Sequence, residues 1–473
     1  MSQVSFGTIN LEELLASTER IELTLIDSAT KRPVSGTYSY SIVNNKIKIV
    51  PRENPGMSLI LDKEIQLTPD VISFVGLYLG DGNKTGNIGF SQREINILKF
   101  AHDVEAKLFG NNFRNRWSIL EDTRRFETPS MKKRLKQIEK EVVAINKHLR
   151  GDLLKLEAQR EFLIREFISK AIHVGLKVSR DDINRPVVSP LKGARALGQS
   201  SLEYIHDLYG SRYFLPLWLK IVYDVVDSII MKNEEKEWIR WDIPPRGSRY
   251  VLNVQKYVSN IYYRTTSSSS RYNVTKILGD PDFIEISKRR GFKAIISKQI
   301  LLSPFLFLIS GLYLAEGDTK KEHIFVFDRE RVPLRVALTS SEERVVKAFI
   351  EFLETLGKRL VNRWKVKVGS KYFIETEEIA QKMGVITLRG GNIGQGYVRT
   401  QELHEAAKNW ALKEFPILKK YQHIYSNLEV TGVGIPRVHV MAKSTIDAYF
   451  VSLIRDAVFS PSKLFKYATR VSV

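Results

Sequence analysis

The sequence predicts an α+β protein of two related halves, with a β-rich extension ahead of the first half and a helical insertion inside it. Three observations carry that expectation. A twenty-residue motif occurs twice, short strands and amphipathic helices follow each copy in matching order, and strand-like segments precede the first copy. A chain of 473 residues also exceeds what one hydrophobic core usually serves. The expected organisation is a β-rich extension over 1–61 and a first half over 62–240 carrying a helical insertion at about 129–200. A linker or small helical module over 241–297 and a second half with C-terminal helices over 298–473 complete it.

Composition narrows the function. Hydrophobic residues make up 43% and charged residues 27%, the balance of a folded globular chain rather than a disordered one. The most apolar stretch, Ile300 to Leu314, is interrupted by Ser303, Pro304 and Ser310 and is too short to span a bilayer. The start, MSQVSFGTINLEELLAS, has no basic segment followed by an apolar core, so a cytoplasmic protein with no membrane partner is expected. There are no cysteines, which excludes disulfides, thiolate-bound zinc and thiol nucleophiles. The eight histidines show no paired spacing, so any metal must use oxygen ligands, as Mg²⁺ and similar hard ions do. Against 53 acidic residues stand 73 basic ones, a net charge of +20, which points to a polyanionic partner.

The motif copies are KEIQLTPDVISFVGLYLGDG, Lys63 to Gly82, and KQILLSPFLFLISGLYLAEG, Lys298 to Gly317. At an offset of 235 residues, nine of the twenty positions are identical, Asp81 faces Glu316 and Thr68 faces Ser303. Thr68 and Ser303 suit helix N-caps, and Pro69 and Pro304 suit the first helical position. About a dozen mostly apolar residues follow, so each helix must be buried. Gly76 with Gly80, and Gly311 with Ala315, fall on one helical face and allow two helix backbones to approach closely. Asp81 and Glu316 end their helices, where the macrodipole is negative and last-turn carbonyls lack helical partners. If the helices pack in parallel, two carboxylates and the carbonyls of Gly80 and Ala315 converge, a ligand set for a hard divalent cation.

GLYLGDG at Gly76 to Gly82 and GLYLAEGD at Gly311 to Asp318 resemble the LAGLIDADG motif of homing endonucleases, in the single-chain form with two motifs. The resemblance implies two pseudo-symmetric αββαββα halves joined at the motif helices. It implies a monomer that cuts double-stranded DNA site-specifically, with Asp81 and Glu316 binding Mg²⁺ (or Mn²⁺) between the scissile phosphates. It also implies a basic residue near the acids from the third helix of each half. Phe214-Leu-Pro-Leu-Trp-Leu-Lys220 and Glu414-Phe-Pro-Ile-Leu-Lys-Lys420 read as the starts of those helices, making Lys220, Lys419 and Lys420 the candidates.

Downstream, a strand Asn87 to Ser91 leads into a helix Glu94 to Phe109. Strands near His323 to Asp328 and Leu334 to Thr339 lead into a helix Glu342 to Leu356. A further strand follows in each half, Arg116 to Leu120 and Arg363 to Val368. Alternation sets Arg114 and Arg116, and Arg363, Lys365 and Lys367, on single sheet faces. With Lys84, Gln92 and Arg335, these are the expected DNA contacts. A solvated basic face is the alternative for each.

IELTLID, TYSYSIV and KIKIVP near the N-terminus read as strands, either a separate module or an extension of the first half's sheet. Pro129 to Val178 reads as helical with heptad spacing, either an arm that grips a partner or simple packing. Tyr250 to Gly279 reads as two short helices around a polar turn or as a linker. Gly390 to Gly396 lacks phosphate-loop spacing and is expected not to bind nucleotide. Two other functions fit the motif, an RNA-binding intron maturase and a DNA-binding regulator derived from an endonuclease. The regulator would typically lose one acid, and both are present.

Overall fold

Asn10 and Asn253 each end a short strand and cap a short helix, and from each the chain runs through a hairpin and an antiparallel sheet to a motif helix. The computed structural model describes residues 4–24, 33–92, 94–110, 115–122, 201–208, 210–231, 236–242, 248–264, 269–288, 293–317, 336–369, 396–397, 401–431 and 436–472, with positions 162, 165 and 169. The expected insertion at about 129–200, the strand near His323 to Asp328, the loop from Gly390 to Gln395, Arg114 and Arg335 lie outside the described residues.

In the first series, β1 (Gly7–Asn10) meets α1 (Leu11–Ala16), and the Asn10 side chain accepts from the backbone N–H groups of Glu12 and Glu13. A hairpin of β2 (Ile21–Thr24) and β3 (Pro33–Gly36) follows, then a three-stranded antiparallel sheet of β4 (Tyr38–Val43), β5 (Lys46–Pro51) and β6 (Leu59–Asp62). The period-2 pattern of β5 and β6 buries Ile47, Ile49, Leu59 and Leu61 on one face. β7 (Glu64–Gln66) pairs with β1 and delivers the chain to α2 (Pro69–Asp81), the first motif helix. β8 (Gly89–Gln92), α3 (Ile95–Phe109), β9 (Asn115–Asp122), β10 (Ser201–Leu208), α4 (Leu215–Met231) and β11 (Ile239–Trp241) complete it. β11 returns to pair with β1, and the sheet order is β8-β10-β9.

The second series begins with β12 (Ser248–Asn253) and α5 (Val254–Ser259), where Asn253 caps the Lys256 N–H. A hairpin of β13 (Tyr262–Arg264) and β14 (Ser269–Arg271) follows, then β15 (Asn273–Lys276), β16 (Phe283–Ser287) and β17 (Lys293–Ser297) in one sheet. The described residues of 248–297 therefore form strands with one short helix, and the reading of Tyr250 to Gly279 as two short helices around a polar turn does not hold. Ile284, Ile286, Ala294 and Ile296 are buried there, in the pattern seen in β5 and β6.

β18 (Gln299–Leu301) pairs with β12 and leads into α6 (Pro304–Glu316), the second motif helix. Then come β19 (Ala337–Ser340), α7 (Glu343–Leu356), β20 (Gly357–Lys358), β21 (Val361–Gly369), β22 (Gly396–Tyr397) and α8 (Gln401–Glu414). A 3-10 segment, Pro416–Ile424, precedes β23 (Tyr425–Thr431) and β24 (Arg437–Ala442). Finally, α9 (Asp447–Phe459), α10 (Pro461–Lys466) and β25 (Ala468–Ser472) close the chain, with β25 paired to β12. The sheet order here is β19-β24-β21-β23-β22. The fold is mixed α+β with several small, mainly antiparallel sheets.

One expectation about helix position fails here. Glu414-Phe-Pro-Ile starts a 3-10 segment rather than a third long helix. The helix that packs on α6, as α4 packs on α2, is α9, which begins without proline. Phe450 of α9 lies 4.6 Å from Tyr313 of α6 between ring centroids, and Trp218 of α4 lies 5.6 Å from Tyr78 of α2.

Candidate active site

The two motif helices are in backbone contact. A Cβ added at Gly76 would lie 2.1 Å from the Leu308 carbonyl oxygen, and one at Gly311 would lie 1.8 Å from that of Ser73. A Cβ at Gly80 would lie 2.3 Å from the Ala315 Cβ and 3.2 Å from the Glu316 Cγ. Contacts advance in step along both chains, so the helices run parallel and their acids share one end. Thr68 and Ser303 cap the other end through the N–H groups of Val71 and Leu306, each at 3.4 Å.

Gly82 and Gly317 stop the helices in extended backbone rather than in a left-handed cap. Glycine is needed at both because a Cβ would lie 2.3 Å from the carbonyl oxygens of Tyr78 and Tyr313. Those tyrosines tie the exits down. The Tyr78 hydroxyl donates to the Asn83 carbonyl at 2.5 Å, and the Tyr313 hydroxyl accepts from the Ala337 N–H at 3.3 Å. A bridge between Gly317 and Leu338 then fixes the end of α6 against β19.

Asp81 and Glu316 have different surroundings. The Gln92 side-chain amide, at the end of β8, donates to the Asp81 carboxylate. Glu316 is half-buried, and burial raises its carboxyl above the usual glutamate range. Arg437 and Lys84 oppose that rise, and the neighbouring Glu342 adds to it. Arg437 begins β24, and Glu342 caps α7, its own N–H donating to Ser340 Oγ at 3.1 Å. Of the residues expected as DNA contacts, Gln92 thus meets Asp81, and the charge of Lys84 acts on Glu316. The residues that sequence reasoning missed are Arg437 and Glu342. The alternation Arg437-Val-His439-Val was the available strand signal for the first.

The donor set fits a hard divalent cation. Two carboxylates end two parallel helices whose macrodipoles are both negative there, and the carbonyls of Gly80 and Ala315 lie in last turns without helical donors. Among the described residues no group of three or more His, Asp and Glu side chains converges on a metal position. Asp81, Glu316 and the two carbonyls are groups that could hold such an ion.

The other expected residues are placed differently. The Lys220 ammonium pairs with Asp224 and lies 5.9 Å from the Trp238 ring centroid, beside the strands at the starting end of α2. Lys420 pairs with Glu354 at 3.7 Å, in the last turn of α7. Glu342 caps the opposite end of that helix, roughly 18 Å away at 1.5 Å per residue. Lys419 belongs to the same 3-10 segment. The basic groups beside Glu316 are instead Lys84 and Arg437.

Arg363 is exposed on β21, whereas Lys365 is buried and bonded to the buried Glu429 of β23. Lys367 lies 3.8 Å from the same carboxylate. Lys365 is therefore a neutralised structural cation rather than a free DNA contact. Arg116 stands opposite Asp207 in the register of β9 and β10. Comparison with protein-family models, with curated proteins and with solved structures finds no match for this chain.

Proposed function

We propose that the protein is a LAGLIDADG-type endonuclease, a monomer that hydrolyses both strands of a specific double-stranded DNA site with the help of Mg²⁺ or Mn²⁺. The observation that carries this reading is the close parallel packing of α2 and α6, which end side by side in Asp81 and Glu316. The recurrence of Tyr78 against Trp218 and of Tyr313 against Phe450 supports two pseudo-symmetric halves meeting at those helices.

A bound divalent ion supplies charge neutralisation and a more acidic water. The chain's own residues do the rest. Asp81 is oriented by Gln92. Lys84 and Arg437 flank Glu316 and offer cationic donors to a scissile phosphate. Exposed Arg363 on β21 suits a backbone phosphate contact, which makes affinity fall with salt. Site selection then rests on base-edge contacts and on DNA deformation.

The test is incubation of the full chain with a randomised duplex library in Mg²⁺, followed by mapping of fragment ends. The reading expects one long, asymmetric sequence cut on both strands, and no cutting in EDTA. Intact DNA in Mg²⁺ and Mn²⁺, together with tight binding of RNA, contradicts it in favour of a maturase.

A further inference from the structure

The segments 7–62 and 248–297 have the same elements and the same buried pattern, yet opposite charge balance. Segment 7–62 holds six basic and seven acidic residues, and segment 248–297 holds nine basic and three acidic ones. Packing accounts for one of these cations, Lys288, which the buried Asp447 holds, but not for the rest of the difference. Several of the extra cations lie outside any core. Arg249, Lys256 and Lys276 are exposed.

A cleft opens on this segment between α5 and β15, lined by Asn253, Gln255, Lys256, Ser259, Tyr272 and Val274. Its lining offers amides, a hydroxyl and an ammonium, with no carboxylate. The adjoining hairpin pairs Tyr262 with Arg271 and Arg264 with Ser269 along its backbone. The ammonium of Lys256, the amides of Asn253 and Gln255 and the Ser259 hydroxyl are the kinds of group that hold a nucleic-acid backbone.

This surface is separate from the acids. The Leu302 N–H donates to the Tyr250 carbonyl at 2.9 Å, which ties the segment to the starting end of α6. The thirteen residues of α6 then carry the chain roughly 20 Å to Glu316. We propose that the described residues of 248–297, Arg249, Lys256 and Lys276 among them, form a second nucleic-acid surface that grips the phosphate backbone of duplex DNA, while the matching segment 7–62 does not. The inference rests on the endonuclease reading for its ligand, and its charge contrast stands apart from the chemistry of the acids.

The test measures binding of the full chain to a mixed-sequence duplex in EDTA over a range of salt concentrations, so that no cutting is required. The variant Arg249→Gln/Lys256→Gln/Lys276→Gln is compared with Lys46→Gln/Lys48→Gln/Arg52→Gln, which removes the same charge from the matching segment. Thermal unfolding confirms that both are folded. The slope of log K against log salt is expected to fall in magnitude by about 0.9 for each phosphate that the first variant no longer neutralises, and to stay constant in the second. Equal slopes for the two variants, or a wild type that does not bind duplex, overturn the inference. A lowered slope in the first variant from a protein that never cuts DNA sinks the endonuclease reading alone.

Discussion

Gly311 on α6 is set against Ser73 on α2 so closely that no side chain fits between them, a Cβ at Gly311 lying 1.8 Å from the Ser73 carbonyl oxygen. The blocking atom is backbone, so no rotamer change relieves it. Gly311→Ala must push the helices apart, and the expected cost is about 3 kcal/mol, at the upper end for overpacking. Urea unfolding monitored by circular dichroism measures it. A midpoint within error of wild type removes the backbone contact from the account.

Glu316 makes the metal-free protein pH-dependent in a definite direction. Burial favours its neutral form, so its contribution is fully present below the ordinary glutamate value of 4.5 and is lost as pH rises through the higher folded value. At about pH 7.5 in EDTA, Glu316→Gln is therefore expected to raise Tm, and the gain disappears below about pH 4.5. Saturating Mg²⁺ acts oppositely. At about 100 times Kd it stabilises wild type by about 2.7 kcal/mol and the variant much less. A Tm for Glu316→Gln at or below wild type in EDTA at neutral pH contradicts the assigned burial.

The two series of elements are clamped across by two ion pairs, each with its arginine in the second series and its acid in the first. Arg344 on α7 reaches Asp227 on α4 at 2.8 Å, and Arg455 on α9 reaches Glu94 before α3 at 3.4 Å. Arg344 also lies 5.5 Å from the Tyr223 ring centroid. A double-mutant cycle with Arg344→Ala and Asp227→Ala is expected to show coupling of about 1–2 kcal/mol, because both groups are largely shielded. The more exposed pair, Arg455 with Glu94, is expected to couple by less than about 1 kcal/mol. Equal coupling in the two cycles contradicts the difference in burial.

Lys288 follows β16, and its ammonium is bonded to Asp447 at the start of α9 and to the Ser444 carbonyl at 2.6 Å. The Asp447 side chain is fully buried. Asp447→Ala leaves a cation stranded in the interior and is expected to cost about 3–5 kcal/mol. Adding Lys288→Met should recover a large part of it. If the double variant is no more stable than Asp447→Ala, the stranded charge is not the cause.

Local signals were the legible ones. Thr68-Pro69 and Ser303-Pro304 announce the motif helices through caps, and Gly82 and Gly317 announce their ends, because each signal lies within a turn of what it controls. The identity of 248–297 was hidden because the likeness to 7–62 is in burial rather than in residues. Ile47 and Ile49 correspond to Ile284 and Ile286, but Leu59 and Leu61 correspond to Ala294 and Ile296. Proline misled the reading at Pro416, where it starts a 3-10 segment, while α9 starts at Asp447 with no comparable signal. Lys365 looked free because its partner, Glu429, is 64 residues away on a parallel neighbour strand. Arg437 beside Glu316 is likewise a tertiary fact, set by the pairing of β24 with β19.

The most direct test of the paired acids is strand-resolved cleavage of one selected DNA site in Mg²⁺ by wild type, Asp81→Asn and Glu316→Gln. The account predicts cutting of both strands by wild type and loss of double-strand cutting in each variant, by at least about a hundredfold, with DNA binding in EDTA retained. Undiminished double-strand cutting by either variant contradicts a site built from the two helix ends.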